Sequence, residues 1–154
     1  MSAIVPYTIN TARISAASPA RYVEHRPAAF TVVASASISG FVYPYAGGAR
    51  LVDVIVYQVA AGTVGTSWVL DLKTVAGTSL FTTLPVMTLA SGANQMTDTK
   101  GEIALPSGWT RGVLKTDSTV TVTKGQVLNY STVETGSYTV HPTAYAVFVF
   151  EPNA

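Results

Sequence analysis

The chain has no cysteine. That removes disulfide staples, thiolate metal sites and a cysteine nucleophile together. Charge is scarce as well: Asp, Glu, Lys and Arg make up 11 % of 154 residues and nearly cancel, to a net +1. Soluble proteins average roughly 25 % charged residues, so this surface must be built largely from Thr, Ser, Gly, Ala, Asn and Gln. Such a surface resists association poorly and suits a chain that works assembled. The small net charge gives no electrostatic footprint for nucleic acid. No apolar run approaches the roughly 18–20 residues of a membrane-spanning helix; the longest, residues 144–150, is of strand length. The start, Met1, Ser2, Ala3, Ile4, Val5 and Pro6, has neither the basic segment nor the apolar stretch of a signal peptide. Synthesis in a cytoplasm is expected, with any export by another route.

No window has a convincing helical apolar period either. What is present is Val, Thr, Tyr and Phe, punctuated by glycine, and 48 % hydrophobic residues to fill a core. Residues 51–59 are apolar on nearly both sides, as a central covered strand would be. In 67–73, Trp68, Leu70 and Leu72 share one face, while Asp71 and Lys73 share the other. Ala76 and Gly77 then predict a hairpin turn, with 78–83 returning as partner. The polar stretch 91–101 reads as a long loop, and 102–105 as a short strand. Thr and Val alternate through 118–123, Lys124 and Gly125 turn the chain, and 126–133 follows as a strand. The last strand, 143–150, places Ala144, Ala146, Phe148 and Phe150 on one face and Tyr145, Val147 and Val149 on the other. About eight strands with no helical crossovers predict an antiparallel sandwich, most economically a jelly roll. A lipocalin-like barrel fits less well, because the strands are short and unequal.

Residues 1–27 differ from this β-sandwich domain, 28–154. They hold three prolines and scattered apolar side chains, with Arg13, Arg21 and Arg26 against Glu24. One reading is a terminus draped on its own domain or frayed in solvent. The other is an extended arm lying on a neighbouring subunit through Ile4, Val5, Tyr7, Ile9, Arg13, Ile14, Arg21 and Tyr22. The density of apolar residues favours the arm.

Chemistry is hard to assemble. His25 and His141 lie far apart in sequence, and neither has an evident third metal ligand. Asp71 with Lys73 reads as a solvent-facing pair. Asp53 is the oddest charge, on the side of Leu51, Ile55 and Tyr57, and a buried Asp there needs a partner, with Arg50 and Arg111 as candidates. Residues 98–102 superficially resemble a calcium loop, but Lys100 stands where an oxygen ligand belongs. The Gly-Thr-Ser steps at 65 and 77 do not complete a nucleophile elbow. The expectation is a non-enzymatic protein without cofactor or metal. Phe41, Tyr43 and Tyr45 would share one face of an extended segment. Exposed, that row could stack on sugar rings; buried, it is core.

The runs 51–59, 65–73 and 76–83, together with 117–133, resemble small jelly-roll proteins encoded among bacteriophage structural genes. In those, a strand ending in an Asp-Val-Lys-like step precedes an Asn-Gly turn, where this chain has Ala76 and Gly77. A Thr/Val strand then precedes Lys-Gly-Asp, where this chain has Lys124, Gly125 and Gln126. The resemblance implies a virion component, preferably a capsid decoration or cement protein, because no coiled-coil or repeat segment is present to make a fibre shaft. It further implies a homotrimer on the capsid surface whose partners are the major capsid protein and copies of itself. The alternatives are a receptor- or carbohydrate-binding module of a tail or fibre, with Trp109 joining the aromatic row, and the coat protein of a small virus.

Overall fold

A computed structural model describes residues 23–25, 30–32, 35–44, 47–88 and 93–153. Its strands in chain order are β1 (Val23–His25), β2 (Phe30–Thr31), β3 (Ser35–Val42), β4 (Ala49–Ala60), β5 (Ser67–Thr74) and β6 (Phe81–Thr83). They continue with β7 (Val86–Thr88), β8 (Gln95–Asp98), β9 (Val113–Leu114), β10 (Thr121–Val122), β11 (Val127–Thr135) and β12 (Thr143–Pro152). Every ladder is antiparallel.

The pairings are nested. β1 and β2 lie along β12, β3 along β11, β4 along β8 and β10, and β5 along β7. A ribbon folded in half between β5 and β7 would make those pairs alone. Wrapping the ribbon adds β12 to β4 and β11 to β5. The result is one sheet centred on β12 and β4, packed against a second ordered β3-β11-β5-β7. This is an eight-position jelly-roll sandwich. β6 and β9 make a separate small ribbon.

Strand alternation fills the space between the sheets. Trp68, Leu70 and Leu72 of β5 are fully buried, as are Ala144, Ala146, Phe148 and Phe150 of β12. Both faces match the period-2 expectation. Trp68 Nε1 donates to Gln58 Oε1 at 2.8 Å, a polar bond between the two sheets inside the core. The turn at Ala76 and Gly77 forms as expected, with Gly77 at φ +87°. Leu80 N still bonds Leu72 O, but the returning strand then leaves β5 to pair, as β6, with β9.

Four segments depart from expectation. Gln95–Asp98 is a strand within the expected 91–101 loop, because the free edge of β4 gives its polar backbone a ladder. Residues 102–105 are not a strand. The Asp98 carboxylate accepts from Glu102 N at 2.8 Å and Ile103 N at 3.3 Å, which curls the chain instead. Residues 118–123 split into a 3₁₀ turn, Ser118–Val120, and β10. Asp117 caps that turn by accepting from Thr119 N at 2.8 Å, and this bonding holds its carboxyl below the ordinary range. Val120 and Val122 remain buried all the same. Finally, Val23–His25 pairs with Phe150, Val149 and Phe148, so strand pairing begins within the expected arm.

Candidate interaction surfaces

Phe41 and Tyr43 are buried, so the expected aromatic row is not a shelf for a ligand. Phe41 stacks on Phe148 with ring centroids 5.2 Å apart, and Tyr43 meets Phe150 at 5.2 Å. These contacts join β3 and the chain just beyond it to β12 across the sandwich, and aromatic area is worth most in such a place. Tyr45 lies outside the described residues. Trp109 is buried too, its indole N–H donating to Thr88 O at 3.3 Å. The arm residues Ile4, Val5, Tyr7, Ile9, Arg13, Ile14, Arg21 and Tyr22 all lie outside the described residues.

Asp53 is buried, but not beside an arginine. Opposite the single step from Phe150 to Val149, β4 advances two residues, from Leu51 to Asp53. This bulge switches faces. Ala49 and Leu51 point into the core, then Val54, Val56 and Gln58 do, while Asp53 joins Ile55 and Tyr57 on the outer side. Asp53 therefore parts company with Leu51. Its Oδ1 accepts from Thr99 Oγ1 at 2.6 Å, Thr99 N at 3.0 Å and Lys100 N at 3.3 Å.

Arg111 instead forks onto the neighbouring Asp98. Its Nη1 bonds the Asp98 side chain and, at 2.9 Å, the Asp98 carbonyl, while Nη2 donates to Ile103 O at 2.6 Å. The chain between β8 and β10 thus folds over the lower outer face of the first sheet and is tied there by two buried carboxylates. Each carboxylate accepts several hydrogen bonds, the condition under which burial of charge is tolerated. In this knot Asp98 accepts on both carboxylate oxygens and Asp53 on Oδ1, and these bonds hold the chain against the sheet.

His141 lies between β11 and β12 and bonds Glu134 Oε2 through Nδ1 at 3.0 Å. Tyr138 sits beside it, with ring centroids 6.1 Å apart. Burial, and secondarily the charge of Glu134, raise the Tyr138 phenol to about 12. The Tyr138 ring wedges against the β4–β5 connection, where a Cβ on Gly65 would lie 2.3–2.4 Å from ring atoms. Thr63 N donates to Val140 O, and Thr139 N to Thr63 O, both at 2.8 Å. The two connections form one braced tip. At its end Val64 is 76 % exposed at φ +73°, and Val140 is 54 % exposed. A β-branched residue in the left-handed region is strained, so the surrounding bonds hold Val64 outward at a cost. No sequence signal pointed to this feature, since the positive φ arises from contacts with a loop 77 residues away.

The outer face of the first sheet carries one more feature. Tyr57 and Tyr145 are cross-strand partners, with Met96 opposite Tyr57 on the other side. Comparison with known proteins returns no match to this chain: no family model, no curated protein and no solved structure.

Proposed function

We propose that this chain is a structural subunit of a bacteriophage particle, a decoration or cement protein that bridges neighbouring capsid subunits. The observation that carries the reading is the braced tip. A strained, outward-facing Val64 beside an exposed Val140 marks this tip as a contact point, since strain of this kind clusters at functional sites. The charge-poor composition supports assembly in the same direction. The mechanism is mechanical. Apolar area buried at subunit junctions, on the order of 1,000 Å² or more each, raises the cost of rupturing a pressurised shell.

Light scattering of the purified protein tests the assembly. A stable species of three times 16.1 kDa is the expected result for a trimeric subunit, and a strict monomer at all concentrations counts against it. Binding to capsids stripped of accessory proteins then tests the role. Removal of residues 1–22, which leaves β1 in place, is expected to weaken that binding, as is the pair Val64→Asp and Val140→Asp. Undiminished binding by both variants would refute the assignment of these contacts.

A further inference from the structure

Among the described residues nearly every aromatic side chain is buried: Phe41, Tyr43, Trp68, Phe81, Trp109, Tyr130, Tyr138, Phe148 and Phe150. Two reach solvent, Tyr57 in part and Tyr145 at 42 %. They are not scattered. They face each other across β4 and β12, with ring planes 18° apart and centroids separated by 6.4 Å. Face-to-face rings would lie much closer, so at this distance the two overlap little and leave ring face uncovered. The Tyr57 hydroxyl donates to Asn94 Oδ1 at 2.7 Å, which fixes one ring and brings a carboxamide to its edge. Met96, 39 % exposed, continues the row on β8, and the half-buried Ile55 and Val147 lie one outward position further along.

We infer that Tyr57 and Tyr145 form a stacking platform for a neutral saccharide, with Asn94 at its polar margin. Two arguments select this ligand. The first is charge: the solvent-reaching positions here, Ile55, Tyr57, Asn94, Met96, Tyr145 and Val147, carry none, and Asp98, opposite Ile55, is buried and paired with Arg111. That disfavours phosphate, nucleic acid and acidic or basic peptides, which need opposite charge for selection. The second is size. Three strands at about 4.8 Å spacing and two outward positions about 7 Å apart give a footprint of roughly 10 Å by 7 Å. A stable protein interface needs about 800 Å² per partner, an order of magnitude more. One or two pyranose rings, each with an apolar C–H face and hydroxyls around its rim, match both the area and the mixture of ring face, phenol and carboxamide. This goes beyond the assembly role, because it concerns a sheet face distinct from the braced tip.

The test is titration of the full chain with neutral oligosaccharides (maltotriose, cellotriose, chitotriose and galactobiose), followed by ¹⁵N and aromatic ¹³C NMR. At least one is expected to shift the Tyr57, Tyr145 and Asn94 resonances saturably below about 10 mM, the weak end of specific affinity. Tyr145→Ala should weaken that binding at least about tenfold, one stacking contact's worth, while Tyr145→Phe, which keeps the ring face, should retain it. Unchanged melting of both variants shows that the fold is intact. Absence of shifts with every sugar at that concentration overturns the inference. So does a Tyr145→Ala variant that still binds sugar normally, or one that instead loses self-association, which would make the face a protein contact. None of these readouts involves capsids, so failure here is separable from failure of the assembly role.

Discussion

Arg111 is the residue whose removal should cost most for its exposure. Its guanidinium is the side chain that crosses from the β8–β10 excursion back onto the buried Asp98, whose side chain is 1 % exposed. In Arg111→Ala three donor contacts vanish, to the Asp98 carboxylate, the Asp98 carbonyl and Ile103 O. The carboxylate keeps only the amides of Glu102 and Ile103. Removing one partner of a buried ion pair costs about 3–5 kcal/mol. Arg111 is itself 25 % exposed, so water can reach part of the vacated space, and about 2–3 kcal/mol is the expected loss. For a domain of this length that lowers the melting temperature by about 4–12 °C. Urea denaturation should show a lower midpoint with an unchanged slope. Amide exchange should show selective loss of protection at Val54 and Thr99, whose mutual bonds lie beneath the excursion. In a cycle with Asp98→Asn the two losses should not add, the coupling being on the order of 1–2 kcal/mol. An Arg111→Ala loss within about 0.5 kcal/mol, the range of ordinary surface changes, would refute the view that this knot holds the excursion down.

The remaining expectations are more local. Val64→Gly should raise stability by about 0.5–1 kcal/mol, relief of the left-handed strain exceeding the added chain entropy; a lower urea midpoint would contradict the strain. Gly65→Ala should destabilise by at least about 2 kcal/mol, because its Cβ would intrude on the Tyr138 ring, and Tyr138→Ala in the same chain should recover part of that loss. The Tyr138 phenol, raised to about 12 by burial and by Glu134, is neutral in the fold where an unfolded tyrosine ionises near 10. Its stabilising contribution is thus complete below about pH 10 and is lost as pH climbs toward 12. Alkaline unfolding should shift upward in Tyr138→Phe, and tyrosinate absorbance of the native protein should show late titration from Tyr138 and from Tyr130, which burial also raises, with the Tyr138 share lost in the variant.

The architecture was legible along the chain wherever a strand carries a one-sided alternation. Trp68, Leu70 and Leu72, and Ala144, Ala146, Phe148 and Phe150, could be assigned inward from spacing alone, because a period of two leaves only one way to bury them. Gly77 and Gly125 could be assigned to turns because each must take a positive φ, +87° and +84°. The missing cysteines excluded disulfides, thiolate ligands and a cysteine nucleophile. What the chain could not announce were features set by partners distant in sequence. The bulge that separates Asp53 from Leu51 exists only against β12, and the strand character of Gln95–Asp98 only against the free edge of β4. The strained Val64 follows Thr63, which a loop 77 residues later pins. The aromatics show the division most plainly. Phe41, Tyr43, Tyr57 and Tyr145 all stand in strand-like surroundings that look alike in sequence. Which of them fill the core and which meet solvent was decided when the second sheet closed over one face of the first, with Tyr57 and Tyr145 on the other.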